Sequence, residues 1–106
     1  PLPEHTKAIR AAIDSDNGKK LTAIVNHADF KKYFGVMEGE TLKTAPKGYS
    51  ADHLAIELLK RKQFLASHKL EDADVLKEDF TAHIINVCKA LKPFERYFND
   101  ITGASL

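Results

Sequence analysis

Ala45-Pro46-Lys47-Gly48-Tyr49-Ser50-Ala51-Asp52-His53-Leu54-Ala55-Ile56-Glu57-Leu58-Leu59-Lys60-Arg61-Lys62-Gln63-Phe64 joins a turn, a helix cap, an apolar face and a dense set of ionisable groups, and what it forms decides how the flanking segments pack. Pro46 sets φ for a turn, and Gly48 accepts whatever backbone angle closes it. Ser50 then reads as the cap of a central helix, with Asp52 in the first turn at the positive end of the dipole. Such a helix carries His53, Glu57, Lys60 and Arg61 at i, i+4, i+7 and i+8, on one face. The His-x-x-x-Glu pair offers two metal ligands, but two do not complete a site; the face reads as a charge ladder and no metal is assigned. Asp52 and His53, as helix neighbours, point about 100° apart, so Asp52 reads as a cap and not as the orienter of a general base.

Downstream, residues 64–70 alternate, with Phe64, Ala66, His68 and Leu70 on one side, which predicts a half-buried strand with His68 as a hydrogen-bonded core residue. Upstream, residues 36–45 lose periodicity and contain Gly39, which predicts a loop with one short strand at 41–43. Two short strands do not make a stable sheet unaided. Glu71, Asp72 and Asp74 predict an acidic turn running through Leu76 to Asp79 as a cap. Phe80, Ile84, Val87, Cys88, Leu91, Phe94, Phe98 and Ile101 then recur at intervals of three, four and one, the strongest periodic signal in the chain. It predicts a last helix with Cys88 as a buried, inert thiol. Pro93 inside it predicts a kink or break, with Phe94 resuming the same face. Gly103 ends it, and residues 104–106 should fray.

At the other end Pro3 opens an amphipathic helix with Ile9, Ala12 and Ile13 on one stripe, stopping at Ser15-Asp16-Asn17-Gly18. Asp16 or Asn17 can cap a second helix whose apolar positions are Leu21, Ile24, Val25 and Ala28. Phe30, Tyr33 and Phe34 read as one more helical turn closed by Gly35, their rings in the core.

A chain of 106 residues, 43% hydrophobic and 29% charged, has enough apolar material for one small core. Sixteen Lys and Arg against fifteen Asp and Glu leave a net charge of +1, so bulk charge does not make nucleic acid the default partner. The single cysteine, Cys88, excludes an intrachain disulfide and a cysteine-based zinc site, and the apolar runs fall short of the roughly 18 residues of a membrane span. A cytoplasmic setting is expected. The start at Pro1, with no initiator methionine and no basic-then-apolar leader, reads as a cut inside a longer protein.

Phe30-Lys31-Lys32-Tyr33-Phe34-Gly35, Glu38-Gly39-Glu40-Thr41-Leu42-Lys43, Pro46-Lys47-Gly48-Tyr49, Asp52-His53, Ala55-Ile56-Glu57-Leu58-Leu59-Lys60 and Phe64 resemble, in order, the C-terminal half of an uncharacterised bacterial and fungal family, domain of unknown function 2461. The resemblance runs from about Pro3 to Phe98. Leu54 departs from it, since the family often has proline after the histidine. The resemblance implies members about twice as long with a strand-rich half ahead of this one, and no catalytic residues. The expected fold is therefore α+β: a mostly helical fragment, a single domain or half-domain over residues 1–106, whose two short strands complete a sheet begun by a missing N-terminal half.

No Ser-His-Asp order, glycine-rich phosphate loop, paired carboxylates or cofactor motif can be assembled. The first functional reading is a non-catalytic binding or structural half that docks on the missing N-terminal half or on a second copy of the chain. The alternative is an enzyme of unassigned chemistry with a site near residues 43–62, binding a small anionic ligand. In that reading the turn at residues 47–50 presents free backbone N–H groups at a helix start, and Lys47, Tyr49, His53 and Lys60 are its side chains. Asp52 already offers a negative charge to the same donors.

Overall fold

The computed structural model describes residues 3–70 and 79–103. Five helices make up most of that: α1 (Pro3–Ser15), α2 (Lys19–Asn26), α3 (Ala28–Phe34), α4 (Ile56–Leu59) and α5 (Phe80–Thr102). α1 ends where expected, and hydrogen bonds explain why. Gly18 N–H donates to the Ile13 carbonyl at 2.8 Å and Asn17 N–H to the Asp14 carbonyl at 3.3 Å, with Asn17 at φ 56°, the pattern of a Schellman stop with asparagine in the left-handed position. Asp16 then starts the next helix, its carboxylate accepting from the N–H groups of Gly18 at 2.9 Å and Lys20 at 3.1 Å. Gly18 is confined twice over: its φ is 71°, and a Cβ there would stand 2.8 Å from Leu58 Cδ1 and 3.0 Å from Ala55 Cβ. The turn between α1 and α2 is thus pressed against the α4 region.

His27 separates α2 from α3. Its N–H closes α2 on the Ile24 carbonyl, while its Nδ1 caps α3 by accepting from Asp29 N–H at 3.2 Å. α3 ends at Gly35, as the sequence predicts. α5 packs across α1, α2 and α3, and α1 also lies against α2 and α4. The core they enclose consists of Ile9, Ile13, Leu21, Phe30, Phe34, Met37, Ala55, Leu59, Phe94 and Tyr97. Phe30 anchors it, with ring centroids 5.1 Å from Phe34 and 5.4 Å from Phe94. Tyr33, also expected in the core, is half-buried at its edge.

The expected α+β fold, with two short strands completing a sheet begun by a missing N-terminal half, is not what forms. The described residues hold no sheet; in place of strands at 41–43 and 64–70 there are two isolated antiparallel bridges, Glu38 with Leu65 and Thr41 with Arg61. The bridged residues stand three apart on one segment and four apart on the other, so an extra residue bulges between them and no ladder propagates. Gly39 sits at this point with φ 137°, and a Cβ there would fall 2.4 Å from the Gln63 carbonyl oxygen. Two arginines do the fastening that strands were expected to do. Arg10 of α1 donates to the carbonyls of Leu59 at 2.9 Å and Arg61 at 3.3 Å, and Arg61 donates to the Met37 carbonyl at 3.0 Å.

The central helix also differs from expectation: it shrinks to the four residues of α4. Side chains compete for its first backbone donors, which is how Ser and similar residues divert a chain from helix. Ser50 Oγ takes Asp52 N–H at 3.1 Å and His53 Nδ1 takes Ala55 N–H at 2.9 Å, while Tyr49, His53 and Ile56 N–H close four-residue turns on Pro46, Ser50 and His53. The charge ladder from His53 to Arg61 therefore does not exist as one helical face.

α5 runs unbroken through Pro93, so of the predicted kink or break the break does not occur. Only the bond to the Lys89 carbonyl is lost, and the next residues, Phe94 and Tyr97, are buried and hold the following turn in place. Cys88 is exposed, not buried. At about 100° per residue it lies nine positions, or half a turn, from buried Tyr97. Asp79 does precede α5, but its side chain makes no cap bond. The acidic turn at Glu71, Asp72 and Asp74 and the fraying of residues 104–106 lie outside the described residues.

Candidate functional site

Three places gather chemistry. The first is His53. Asp14 of α1 approaches it from 39 residues away, and His53 Nε2 meets Asp14 Oδ1 at 2.7 Å, with the imidazole mostly covered at 14% exposure and the carboxylate half in water at 51%. An Asp–His pair is the usual beginning of a general base. Here the second nitrogen is taken: Nδ1 accepts from Ala55 N–H, so the neutral ring carries its proton on Nε2 and donates it to Asp14. Both nitrogens are committed and no lone pair faces a substrate.

Of the four residues singled out in the sequence, Tyr49 and His53 are brought together, their rings edge to face at 6.3 Å. Lys60 turns to Glu57 instead, with Nζ 3.9 Å from Oε1. Lys47 stands exposed on its turn. α4 begins only at Ile56, so no long helix presents its N-terminus at residues 47–50.

The second place is a histidine pair. His68 Nδ1–H donates to the Tyr33 carbonyl at 2.6 Å, which leaves His68 Nε2 to accept from His83 Nε2–H at 3.2 Å. Both rings meet Tyr33 edge-on, at 5.8 and 5.9 Å. His68 is thus hydrogen-bonded and half-buried, but in an extended segment tied to α3 and α5 and not in a strand. Among the described residues no third His, Cys, Asp or Glu joins a group that could hold a metal ion.

The third place is a groove along α5 that sequence reasoning missed. Where α5 faces the junction of α2 and α3, a cavity of about 280 Å³ is lined by Ala23, Ile24, His27, Asp29, Phe30, Lys89, Ala90 and Pro93. A second, of about 350 Å³, continues towards the C-terminus between α2 and α5 and is lined by Lys20, Ile24, Lys89, Lys92, Pro93, Arg96, Tyr97 and Asp100. The two share Ile24, Lys89 and Pro93 as a common wall. In the second cavity four cations face one carboxylate. Tyr97 forms part of its wall, and the Tyr97 hydroxyl is buried with no hydrogen-bond partner among the described residues. Burial, and next the negative charge of Asp16, push the Tyr97 phenol above its ordinary pKa of 10.0. Lys20 Nζ lies 6.0 Å from the Tyr97 ring centre.

The groove had a readable signal: Lys89, Lys92 and Arg96 are three and four apart on the last helix, beside Pro93. The partnership of Asp14 with His53 had none, because it depends on how α1 crosses a distant turn.

A family model described as "Conserved hypothetical protein (DUF2461)" matches residues 1–97, and the chain belongs to that family. Neither the curated proteins nor the solved structures contain a match. Among the described residues no helix is long and apolar enough to cross a membrane.

Proposed function

We propose that this chain, as a member of the family of conserved hypothetical proteins DUF2461, is a non-catalytic binding or structural module that docks on a second copy of itself through the N-terminal half of α5. The observation that carries this reading is that the apolar stripe of α5 outruns the core. Only Phe94 and Tyr97 of the helix are buried; towards its N-terminus Phe80 and Ile84 are half-covered and Ile85 is 48% exposed. An apolar helix stripe is stabilised by being covered, and the described core stops short of covering this one. A catalytic site at residues 43–62 has less support, because the imidazole best placed to act as a base there has neither nitrogen free.

Sedimentation equilibrium over a wide concentration range tests the docking. The expected result is a mass that rises towards two chains for the natural sequence and stays at one for Ile85→Asp, with both proteins melting at the same temperature. A mass of one chain at every concentration for both proteins overturns self-docking.

A further inference from the structure

We propose that the groove on α5 binds a small anionic amphiphile: a short apolar body between Ile24, Phe30, Ala90 and Pro93, and a carboxylate or phosphate head among Lys20, Lys89, Lys92 and Arg96. The argument begins with volume and composition. Two adjoining cavities of about 280 and 350 Å³ are each large enough for part of a small molecule, and sites for small ligands combine an apolar lining with a few placed polar groups. Here the two characters are separated along one helix. The first cavity has the side chains of Ala23, Ile24, Phe30, Ala90 and Pro93 as its apolar wall. The second has four cations against the single carboxylate of Asp100.

Charge complementarity sets the sign of the head group. Lys20, Lys89, Lys92 and Arg96 line one cavity with a single carboxylate, Asp100, so its rim carries an excess of positive charge that an anion would complement. Arg96 can bind a carboxylate or phosphate in a forked, two-bond geometry, and the lysines add point charge. Tyr97 forms part of the wall of the basic cavity, beside Lys20, Arg96 and Pro93. The shared wall of Ile24, Lys89 and Pro93 lets one molecule span both cavities, its apolar end towards α3 and its anionic end towards Arg96.

Titration with octanoate and with octyl phosphate, each below micelle formation and followed by amide chemical shifts, tests the site, with octanol and inorganic phosphate as the single-feature probes. The expected result is saturable shifts centred on Ile24, Lys89, Ala90 and Tyr97 for the anionic amphiphiles. Both single-feature probes should bind at least about tenfold more weakly, because each lacks one half of the contacts. Lys92→Gln and Arg96→Gln should each weaken binding about tenfold. The stronger of the two amphiphiles identifies the head group. Equal response to octanol, equal response to inorganic phosphate, shifts spread evenly over all lysines, or unchanged affinity in Lys92→Gln and Arg96→Gln would each overturn the proposal. None of these outcomes depends on whether α5 also self-docks at its other end.

Discussion

Burying the Tyr97 hydroxyl without a partner costs on the order of 1–3 kcal/mol relative to a matched apolar group. Tyr97→Phe keeps the ring that contacts Phe98 at 5.0 Å and deletes only the unpaired oxygen. The expected outcome is unchanged or raised stability, by up to about 1 kcal/mol, read from urea unfolding. The pH dependence follows from the same burial. The folded protein holds the neutral phenol because its pKa is raised, whereas the unfolded chain releases that proton near the ordinary value of 10.0. Stability from this group is therefore fully present below about pH 10 and is lost as pH rises above it, since the unfolded state then binds fewer protons. Urea midpoints followed from pH 8 to 11 should fall more steeply for the natural protein than for Tyr97→Phe. Equal slopes would show that Tyr97 does not titrate differently in the two states.

The elements are held by side chains to backbone as much as by backbone to backbone. α4 is a single turn, and its departing carbonyls at Leu59 and Arg61 lack helical donors; the Arg10 guanidinium supplies them from α1, a cation at a helix C-terminus. Arg10→Met keeps much of the stem packing and removes both bonds, and should cost about 1.5–3 kcal/mol. Its local signature is faster amide exchange at Leu42 and Lys62, whose N–H groups bond to the carbonyls of Lys60 and Glu40 across the bridged segments. Exchange within α2 should be unaffected. Uniform loss of protection would show instead that Arg10 supports the whole core. The ends of α1 and α3 were legible because each has a local cause, the Asn17-Gly18 turn and Gly35, and so was Asp16 as the side chain that ties down the start of α2; the break at His27 was not, since the apolar spacing of α2 runs on to Ala28. α4 was misread because its pattern of apolar and charged residues is helical while the hydrogen bonds of Ser50 and His53 divert its first turn.

At the scale of the molecule, the shape is extended. The radius of gyration is 15.6 Å, against about 13 Å for a compact chain of this length, and the long axis is 51 Å beside 27 and 22 Å. A 23-residue helix is itself about 35 Å long, and the ten core residues occupy only part of that length. Stability must therefore be concentrated where α5 packs on α1, α2 and α3, with α4 against α1. Leu59 is fully buried there, and Leu59→Ala should lower stability by about 2–5 kcal/mol, a large share of what a domain of this size possesses. Thermal melting followed by circular dichroism checks it; a loss below about 1 kcal/mol would mean that the α4 region unfolds separately from the rest. The partly covered N-terminal half of α5, where Ile85 is exposed, is the counterpart of that concentration, and it motivates the docking proposal.

The presence of α1, α3 and the last helix, the ends of α1 and α3, and most of the core, including Ile9, Ile13, Leu21, Phe30, Phe34 and Phe94, were determined by the sequence itself, because helix periodicity and capping are local and act within a few residues. Tertiary structure decided the rest. Alternation at residues 64–70 is only a permission to form a strand; the bulge opposite Gly39 and the bond from His68 to Tyr33 turned that segment into an extended tie between helices. Asp14 with His53, Arg10 with Leu59, and Lys20 with Tyr97 join residues far apart in the chain. Their distances are set by how helices cross, and no spacing along the sequence encodes that crossing.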